Sequence, residues 1–163
     1  MAIFFTADTH FGHGSLRGLL GRPFPDTRAM DEGLVEAWNE TVGPGDEVWH
    51  LGDFAVGHRD PAAVLARLNG TKRLVAGNND PPAIRALAGW AEVCEFREIE
   101  AEGQALVLCH YPLRSWRRGA LNLHGHSHGR LKPLPRQYDV GVDARGYRPV
   151  RVSELRLVRA VAA

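Results

Sequence analysis

The feature that most constrains this chain is a repeated arrangement in which a short apolar segment runs directly into polar side chains that can bind metal. Its first half contains three such segments, Ile3–Ala7, Glu47–Leu51 and Lys72–Ala76. The polar residues that follow them are Asp8 and His10, then Asp53, then Asn78. Short apolar segments bounded by polar residues or glycine are typical of buried strands. The sequence therefore predicts three strands that each end at a candidate ligand.

Helical patterns separate these strands. Apolar residues recur at helical spacing from Asp26 or Thr27 to Val42, and either of the first two residues is a suitable N-cap. Asp60-Pro61 predicts a second helix, with Asp at the N-cap and Pro at the first helical position. A short third helix is expected from Pro81 or Pro82 to Ala88. Residues 12–27 are rich in Gly and Pro and predict a loop.

The second half of the chain changes character and consists of predicted strands. These are Val93–Ile99, Ala105–Cys109, Ala120–His124 and Tyr138–Val142. Two of them again precede histidines, His110 in one case and His126 with His128 in the other. Alternating strands and helices followed by further strands predict α/β or α+β layers around stacked sheets. The 163 residues fit one domain, which is expected to span the whole chain.

Composition excludes several classes of function. The net charge of +1 gives no overall attraction for nucleic acid or for an anionic membrane. No apolar run approaches the roughly 18–20 residues that span a bilayer. Cys94 and Cys109 form neither a disulfide framework nor a metal-binding pair, so buried free thiols are expected. A cytoplasmic protein is predicted, with no membrane partner and no strong signal for nucleic acid, and nothing indicates an oligomeric state.

The candidate ligands point to a particular chemistry. Ligands of α/β sheets bind at the carboxyl ends of strands, so these side chains are expected to converge. They are Asp8, His10, Asp53, Asn78, His110, His126 and His128. Seven nitrogen and oxygen ligands are too many for one tetrahedral zinc ion. They suit two divalent ions about 3.5–4 Å apart, which generate a bridging hydroxide and clamp a phosphoryl group during in-line attack.

The motifs resemble those of the calcineurin-like metallophosphoesterase family, especially its small single-domain bacterial members. The blocks that carry this resemblance are Asp8-x-His10, Gly52-Asp53, Gly77-Asn78, His110 and Gly125-His126-x-His128, in family order. The resemblance implies a four-layer αββα sandwich of two stacked mixed sheets flanked by helices. It also implies hydrolysis of a phosphodiester or phosphomonoester, with a small phosphoester, a nucleotide among the candidates, as substrate.

The resemblance also assigns the ligands. Asp8, His10 and His128 are expected to hold one ion, while Asn78, His110 and His126 hold the other. Asp53 is expected to bridge the two ions. Manganese is the expected metal, with iron, zinc, nickel or cobalt as alternatives.

One position departs from the family pattern. Asn79 stands where the family usually has a histidine near the leaving-group oxygen. Asparagine can donate a hydrogen bond there but cannot deliver a proton, and general acid catalysis contributes roughly 10²–10⁴-fold. Three accounts are open. His13 replaces the missing acid, the leaving group needs no proton from the chain or takes it from water, or the protein is a metal-binding interaction scaffold with little catalysis.

Further residues carry weaker expectations. Asn79 and Arg114 are expected to contact the substrate phosphate. His50 and His124 are predicted to lie in the core or behind the ligands, and His58 on the surface. Asp139 and Asp143 are predicted to lie at a turn or strand edge. For Asp80 two roles stay open, orienting a residue of the site or capping the helix that begins at Pro81.

Overall fold

Eight strands and five helices make up the described part of the chain, which in this computed structural model is residues 1–157. The strands are β1 Ile3–Thr6, β2 Glu47–His50, β3 Thr71–Val75, β4 Trp90–Cys94, β5 Phe96–Ala101, β6 Gln104–Cys109, β7 Leu121–His124 and β8 Gln137–Asp139. The helices are α1 Gly14–Leu19, α2 Thr27–Thr41, α3 Pro61–Arg67, α4 Pro82–Arg85 and α5 Val152–Leu157.

The strands form two four-stranded sheets. The first has the order β1-β2-β3-β4 and is parallel throughout. The second has the order β5-β6-β7-β8, in which the first pair is antiparallel and the other two pairs are parallel. The predicted architecture of two stacked sheets flanked by helices is confirmed, and of these sheets the second is mixed.

Side-chain alternation along the first sheet builds two hydrophobic cores. Phe4 belongs to a cluster with residues of α2, α3 and α4, whereas the next residue, Phe5, belongs to a cluster with residues of the second sheet. Val48 and Trp49 of β2 divide in the same way. Successive strand side chains point to opposite faces, so the first sheet is buried on both sides, as parallel sheets generally are.

The two main helices begin where the sequence predicts. The Asp26 carboxylate accepts a hydrogen bond from the Ala29 amide at 2.8 Å at the start of α2. The Asp60 carboxylate accepts from the Ala63 amide at 2.9 Å at the start of α3, with Pro61 in the first turn. Each carboxylate satisfies a backbone donor that has no partner within the helix.

Several predicted boundaries are wrong. The single strand predicted over Val93–Ile99 is two strands, β4 and β5, which belong to different sheets and are separated at Glu95. The strand predicted over Tyr138–Val142 ends at Asp139 and is followed by a 3₁₀ turn at Val142–Ala144. The predicted loop over residues 12–27 contains helix α1, and α4 is shorter than expected.

Two further observations concern the sequence predictions. Cys94 and Cys109 are free thiols as expected, but each is half-buried rather than buried. Within residues 1–157, no helix has the length and apolarity needed to cross a membrane. The extent of the domain, 1–163, stays a prediction, because residues 158–163 lie outside the described part of the chain.

Candidate metal centre

All seven predicted ligands follow the carboxyl ends of parallel strands. Asp8 and His10 follow β1, Asp53 follows β2, and Asn78 follows β3 in the first sheet. The remaining three follow β6 and β7 of the second sheet, namely His110, His126 and His128. Within the second sheet, the Gly125 amide donates to the His110 carbonyl and joins the loops after β6 and β7. The His126 amide donates to the Asp8 carboxylate and joins the loops of the two sheets.

One group of side chains brings Asp8, His10 and His128 together. Each offers a ligand atom, and these atoms lie within 4.8 Å of one another. The Nε2 atom of His10 is buried and has no hydrogen-bond partner. A buried polar atom without a partner is costly, so an unpaired imidazole nitrogen among other ligands fits a bound cation.

A second group forms around Asn78. Its side-chain oxygen lies 2.9 Å from His110 Nε2 and 3.0 Å from His126 Nδ1. The other ring nitrogen of His110 is 2.7 Å from the Leu51 carbonyl oxygen. A neutral ring that donates to this carbonyl presents its Nε2 lone pair toward Asn78. Two lone-pair-bearing atoms then face the same point, as ligands of one cation do.

Asp53 lies between these two groups. Its Oδ2 atom is 3.4 Å from His10 Nε2, and its Oδ1 atom is 3.6 Å from His110 Nε2. Asn79 donates to both carboxylate oxygens, through its backbone amide and its side-chain amide, each at 2.8 Å. Burial opposes ionisation of Asp53, yet His10, His110 and Asn79 together hold its pKa well below the usual range. Asp53 therefore stays ionised where it faces both histidines.

The pKa of Asp8 is shifted in the direction opposite to that of Asp53. Burial, followed by the negative charges of Asp139 and Asp53, raises the pKa of Asp8 well above its ordinary value. The backbone amide of His126 donates to its carboxylate and opposes this shift only in part. An excess of buried negative charge is what a bound divalent cation neutralises, so the donor set and its electrostatics fit divalent metal.

The backbone of the centre is unusual. Eight non-glycine residues within 1–157 have positive φ, and five of them are predicted ligands. These five are Asp8 at 57°, His10 at 49°, Asp53 at 60°, His126 at 67° and His128 at 49°. The left-handed region is disfavoured for residues with a Cβ atom, and such residues cluster at functional sites. The strain therefore coincides with the candidate ligands.

The glycines before the ligands act in two ways. Gly52 has φ of +94°, so it permits the sharp turn that the sequence predicts before Asp53. Gly125 is needed for space instead, because a Cβ atom there would lie 2.6 Å from Ala7 Cβ and 2.8 Å from Asp8 Oδ2. The two loops approach as closely as they do because this side chain is absent.

Comparison with known proteins identifies the family. Residues 1–140 match the sequence profile of the calcineurin-like phosphoesterase superfamily domain. The chain belongs to this superfamily. It is thus a metal-dependent phosphoesterase whose candidate ligands suit divalent metal.

Relatives of this phosphoesterase occur in an archaeon and in a phage. An uncharacterised protein of Methanocaldococcus jannaschii is 29% identical, over 91% of this chain and 85% of that protein. The gene 66 protein of Mycobacterium phage D29 is 31% identical, over 87% of this chain and 88% of its own.

Solved structures share the fold. A protein of unknown function from Aquifex aeolicus superimposes with a TM-score of 0.76 at 22% identity, covering 96% of this chain and 98% of that one. YfcE, a phosphoesterase from E. coli, has a TM-score of 0.52 at 20% identity, covering 78% and 70%.

A buried aspartate that the sequence left undecided holds the centre of this phosphoesterase together. The Asp80 carboxylate accepts hydrogen bonds from the backbone amides of Asp53, Phe54 and Gly77, at 2.8, 2.9 and 2.8 Å. The alternative of a helix cap is wrong, since Pro81 is the N-cap residue of α4 and no side chain caps it. Asp80 therefore joins the loop after β2 to the loop after β3.

Asp143 lies in the 3₁₀ turn Val142–Ala144, at a turn as predicted, but it also supports a candidate ligand. Its Oδ2 atom lies 2.8 Å from His128 Nδ1, and Arg22 donates to both of its oxygens at 2.8 Å. The same buried guanidinium donates to the carbonyl oxygens of Thr9 and Asp8. Hydrogen bonds of this kind fix the orientation and tautomer of a ligating histidine. No local sequence pattern predicts the hydrogen bonds between Arg22 and Asp143, because the two residues are 121 positions apart.

Asp139 likewise does more than end a strand. Its two carboxylate oxygens accept hydrogen bonds from the backbone amides of Gly129 and Gly141, each at 2.8 Å. It thereby fixes the loop that carries His128.

Of the two remaining residues that were predicted to act on the substrate, His13 lies beside the metal centre and Arg114 lies apart from it. The Nδ1 atom of His13 is 3.2 Å from the Nδ1 atom of His10, so His13 contacts the ring of a candidate ligand. Arg114 lines a separate cleft with Trp116 and Arg136, and none of the seven candidate ligands lines that cleft. The structure therefore brings His13, but not Arg114, into direct contact with a candidate metal ligand.

Of the three remaining histidines, none of which was expected to be a ligand, two lie where predicted and the third is less exposed than predicted. His50 is buried and its Nε2 atom is 2.9 Å from the Thr9 hydroxyl, directly behind the first loop. His124 is buried with its Nδ1 atom 2.8 Å from the Gly125 carbonyl oxygen. Both lie behind the ligands, as predicted. His58 is not a free surface residue, because its side chain is only 22% exposed and lies 3.7 Å from Asp31.

Proposed function

We propose that this phosphoesterase hydrolyses a small phosphoester with the help of two divalent cations. Asp8, His10 and His128 would hold one cation, Asn78, His110 and His126 the other, and Asp53 would contact both. The observation that carries the proposal is the position of Asp53, 3.4 Å from His10 and 3.6 Å from His110. Manganese is the proposed metal, with iron, zinc, nickel or cobalt as alternatives.

The protein groups prepare the centre for this chemistry. Divalent cations held by these residues would supply Lewis acidity for attack of water on phosphorus and would neutralise charge on the phosphoryl oxygens. Asp53 stays ionised and is oriented by Asn79. Asp143 and Arg22 orient His128. Side chains that are fixed in advance need no rearrangement as negative charge develops on the ester.

The leaving group then departs without a strong acid at position 79. Asn79 is turned onto Asp53 and carries no acidic proton. Replacement of the missing acid by His13 is one of the three open accounts, but His13 contacts the Nδ1 side of His10, whereas the Nε2 side faces Asp53. This contact supports an orienting role for His13. A leaving group of low pKa, or protonation by water, is the account that we propose.

Other predictions about the substrate stay proposals. A nucleotide is one candidate for the small phosphoester, and monoesters and diesters are both retained. Asn79 lies close enough to the centre to contact the phosphate, whereas Arg114 would have to reach it from the separate cleft. A cytoplasmic location is proposed from cysteine usage alone.

The test is a panel of phosphomonoesters and phosphodiesters, assayed with manganese, nickel, cobalt, zinc and magnesium. Metal content is measured on the same preparations and is expected to be two ions per chain. Asp53→Asn should lose at least about 10²-fold in turnover, because it removes the charge that faces both cations. Asp60→Asn is the matched control, since this exposed aspartate caps α3 and its carboxylate contacts none of the candidate ligands.

Two results would contradict the proposal. One bound ion per chain with full activity would show that the reaction does not need a second cation. Two bound ions with no hydrolysis of any ester would favour the alternative, a metal-binding interaction scaffold.

A further inference from the structure

An open cleft of about 510 Å³ lies beside the metal centre. It runs between the loop that follows β2 and the beginning of helix α4. Its walls are mostly small apolar side chains, among them Ala55, Val56, Pro61, Ala83 and Ile84. The volume lies within the range of roughly 300–1,000 Å³ that is typical of small-molecule sites.

The cleft is continuous with the metal centre. Asn78 and Asn79 line it, and both also belong to the centre. The side-chain oxygen of Asn78 is 2.9 Å from His110 Nε2, and the side-chain nitrogen of Asn79 is 2.8 Å from Asp53. A phosphoryl group held at the centre therefore lies at the mouth of the cleft, and a group bonded to it can extend inward.

One side chain in the wall, His58, is held in a fixed orientation by contacts at both ring nitrogens. Its Nδ1 atom accepts a hydrogen bond from the Asp60 amide at 3.0 Å, so the neutral ring carries its proton on Nε2. That nitrogen faces Asp31, at 3.7 Å. The Asp31 carboxylate in turn accepts from the Gly12 amide in the loop that follows the first ligands. The ring is thus held between its own loop and helix α2.

The chemistry of the walls discriminates between substrate classes. None of the described residues that line the cleft is Lys, Arg, Asp or Glu. A groove that follows a polynucleotide carries basic side chains along the phosphate backbone, and those are missing here. Apolar walls with a single imidazole instead suit a compact apolar or aromatic group.

We propose that this cleft binds the organic group of the substrate, and that this group is an aryl ring or an apolar group of similar size. The inference rests on the proposed function, because it takes the phosphoryl group to be held at the metal centre. It goes beyond that function by naming the substrate class, an ester of phosphate with one compact apolar group.

Binding of two phosphonates to the manganese-loaded protein tests this without catalysis. Benzylphosphonate has a methylene group in place of the ester oxygen of phenyl phosphate, and methylphosphonate lacks the ring. Calorimetry should show roughly tenfold or tighter binding of benzylphosphonate by the wild type, because the ring is buried in the cleft.

Filling the cleft should abolish this preference. Ala83 is exposed on α4 and lines the cleft, so Ala83→Phe should weaken benzylphosphonate roughly tenfold and change methylphosphonate by less than about twofold. Ala86→Phe is the matched control, because Ala86 is exposed at the end of the same helix and does not line the cleft. Phenyl ester hydrolysis should show a raised KM in Ala83→Phe with kcat little changed.

The outcomes separate the inference from the function on which it rests. Equal affinity of the wild type for the two phosphonates would overturn the inference alone, provided that esters are hydrolysed. So would an Ala83→Phe variant that keeps its preference or weakens both phosphonates equally. A metal-loaded wild type that binds neither phosphonate and hydrolyses no ester would overturn the proposed function and the inference together.

Discussion

Asp80 offers the sharpest test of how the centre is supported. Its carboxylate is almost fully buried and accepts three backbone hydrogen bonds, from Asp53, Phe54 and Gly77. Asp80→Ala leaves all three donors buried without a partner. Asp80→Asn keeps one acceptor oxygen but turns an amide group toward a backbone amide. Both variants should therefore destabilise the protein, and the alanine variant more so.

The magnitude follows from the number and type of bonds. A hydrogen bond to a charged group contributes about 1.5–3 kcal/mol, and bonds that share one carboxylate add incompletely. We expect Asp80→Ala to lower the free energy of unfolding by about 3–6 kcal/mol, and Asp80→Asn by about 2–4 kcal/mol. Natural domains have about 5–15 kcal/mol in total, so the asparagine variant is included in case the alanine variant does not fold.

Urea unfolding of the metal-free protein measures these losses. Asp60→Ala is the control, because Asp60 accepts a single exposed backbone bond at the start of α3 and should cost about 1 kcal/mol. The same variants should differ in manganese affinity, which Asp80→Asn lowers about 10–100-fold by releasing the Asp53 loop, while Asp60→Ala leaves it unchanged. The reasoning is refuted if Asp80→Ala unfolds within about 1 kcal/mol of the wild type, or if the two aspartates cost the same.

Three further predictions concern other residues. Asp143→Ala should weaken manganese binding about 10–100-fold in calorimetry because His128 loses its orienting carboxylate, and an unchanged affinity would contradict this. Asn79→His should raise turnover on an alkyl phosphodiester more than on a nitrophenyl ester, and equal or reduced rates on both would show that no acid is missing. Burial lowers the pKa of His50 to about 3 from 6.5, so the unfolded chain takes up the proton first as pH falls. The free energy of unfolding should therefore be about 2 kcal/mol lower at pH 5 than at pH 8, as measured by urea unfolding, and His50→Gln should show a smaller difference between the two pH values.

The elements that position the ligands could be predicted because their signals are local. A parallel strand buried on both faces is expected to be a short apolar run, and β1, with the sequence Ile-Phe-Phe-Thr, is one. β2 and β3 are apolar only at Val48-Trp49 and Leu74-Val75, and the candidate ligands Asp53 and Asn78 each follow three residues after the strand ends. The starts of α2 and α3 depend on Asp26 and Asp60, whose role as N-caps is set within three residues. In contrast, Cys94-Glu95-Phe96 contains no glycine, proline or asparagine, so nothing local marks the crossing from one sheet to the other.

The supports of the site could not be predicted because they depend on distant partners. Asp80 accepts from an amide 27 residues earlier, and Asp143 accepts from an arginine 121 residues earlier. No periodicity or spacing rule relates such positions, and both aspartates lie where a turn or cap is the ordinary expectation. The environment of His58 was missed for the same reason, since its partner Asp31 is on helix α2.

These supports explain how the chain tolerates a strained centre. Five candidate ligands adopt left-handed backbone conformations, each of which costs roughly 1–2 kcal/mol for a residue with a Cβ atom. Such conformations persist only where surrounding contacts over-determine them. Asp80 binds the backbone amide of Asp53 itself, and Arg22 binds the backbone carbonyl of Asp8, so the bonds act on the strained residues directly. Because these bonds form between groups of the chain, their loss should lower stability even in the metal-free protein, whereas loss of a ligand side chain alone should chiefly lower metal affinity.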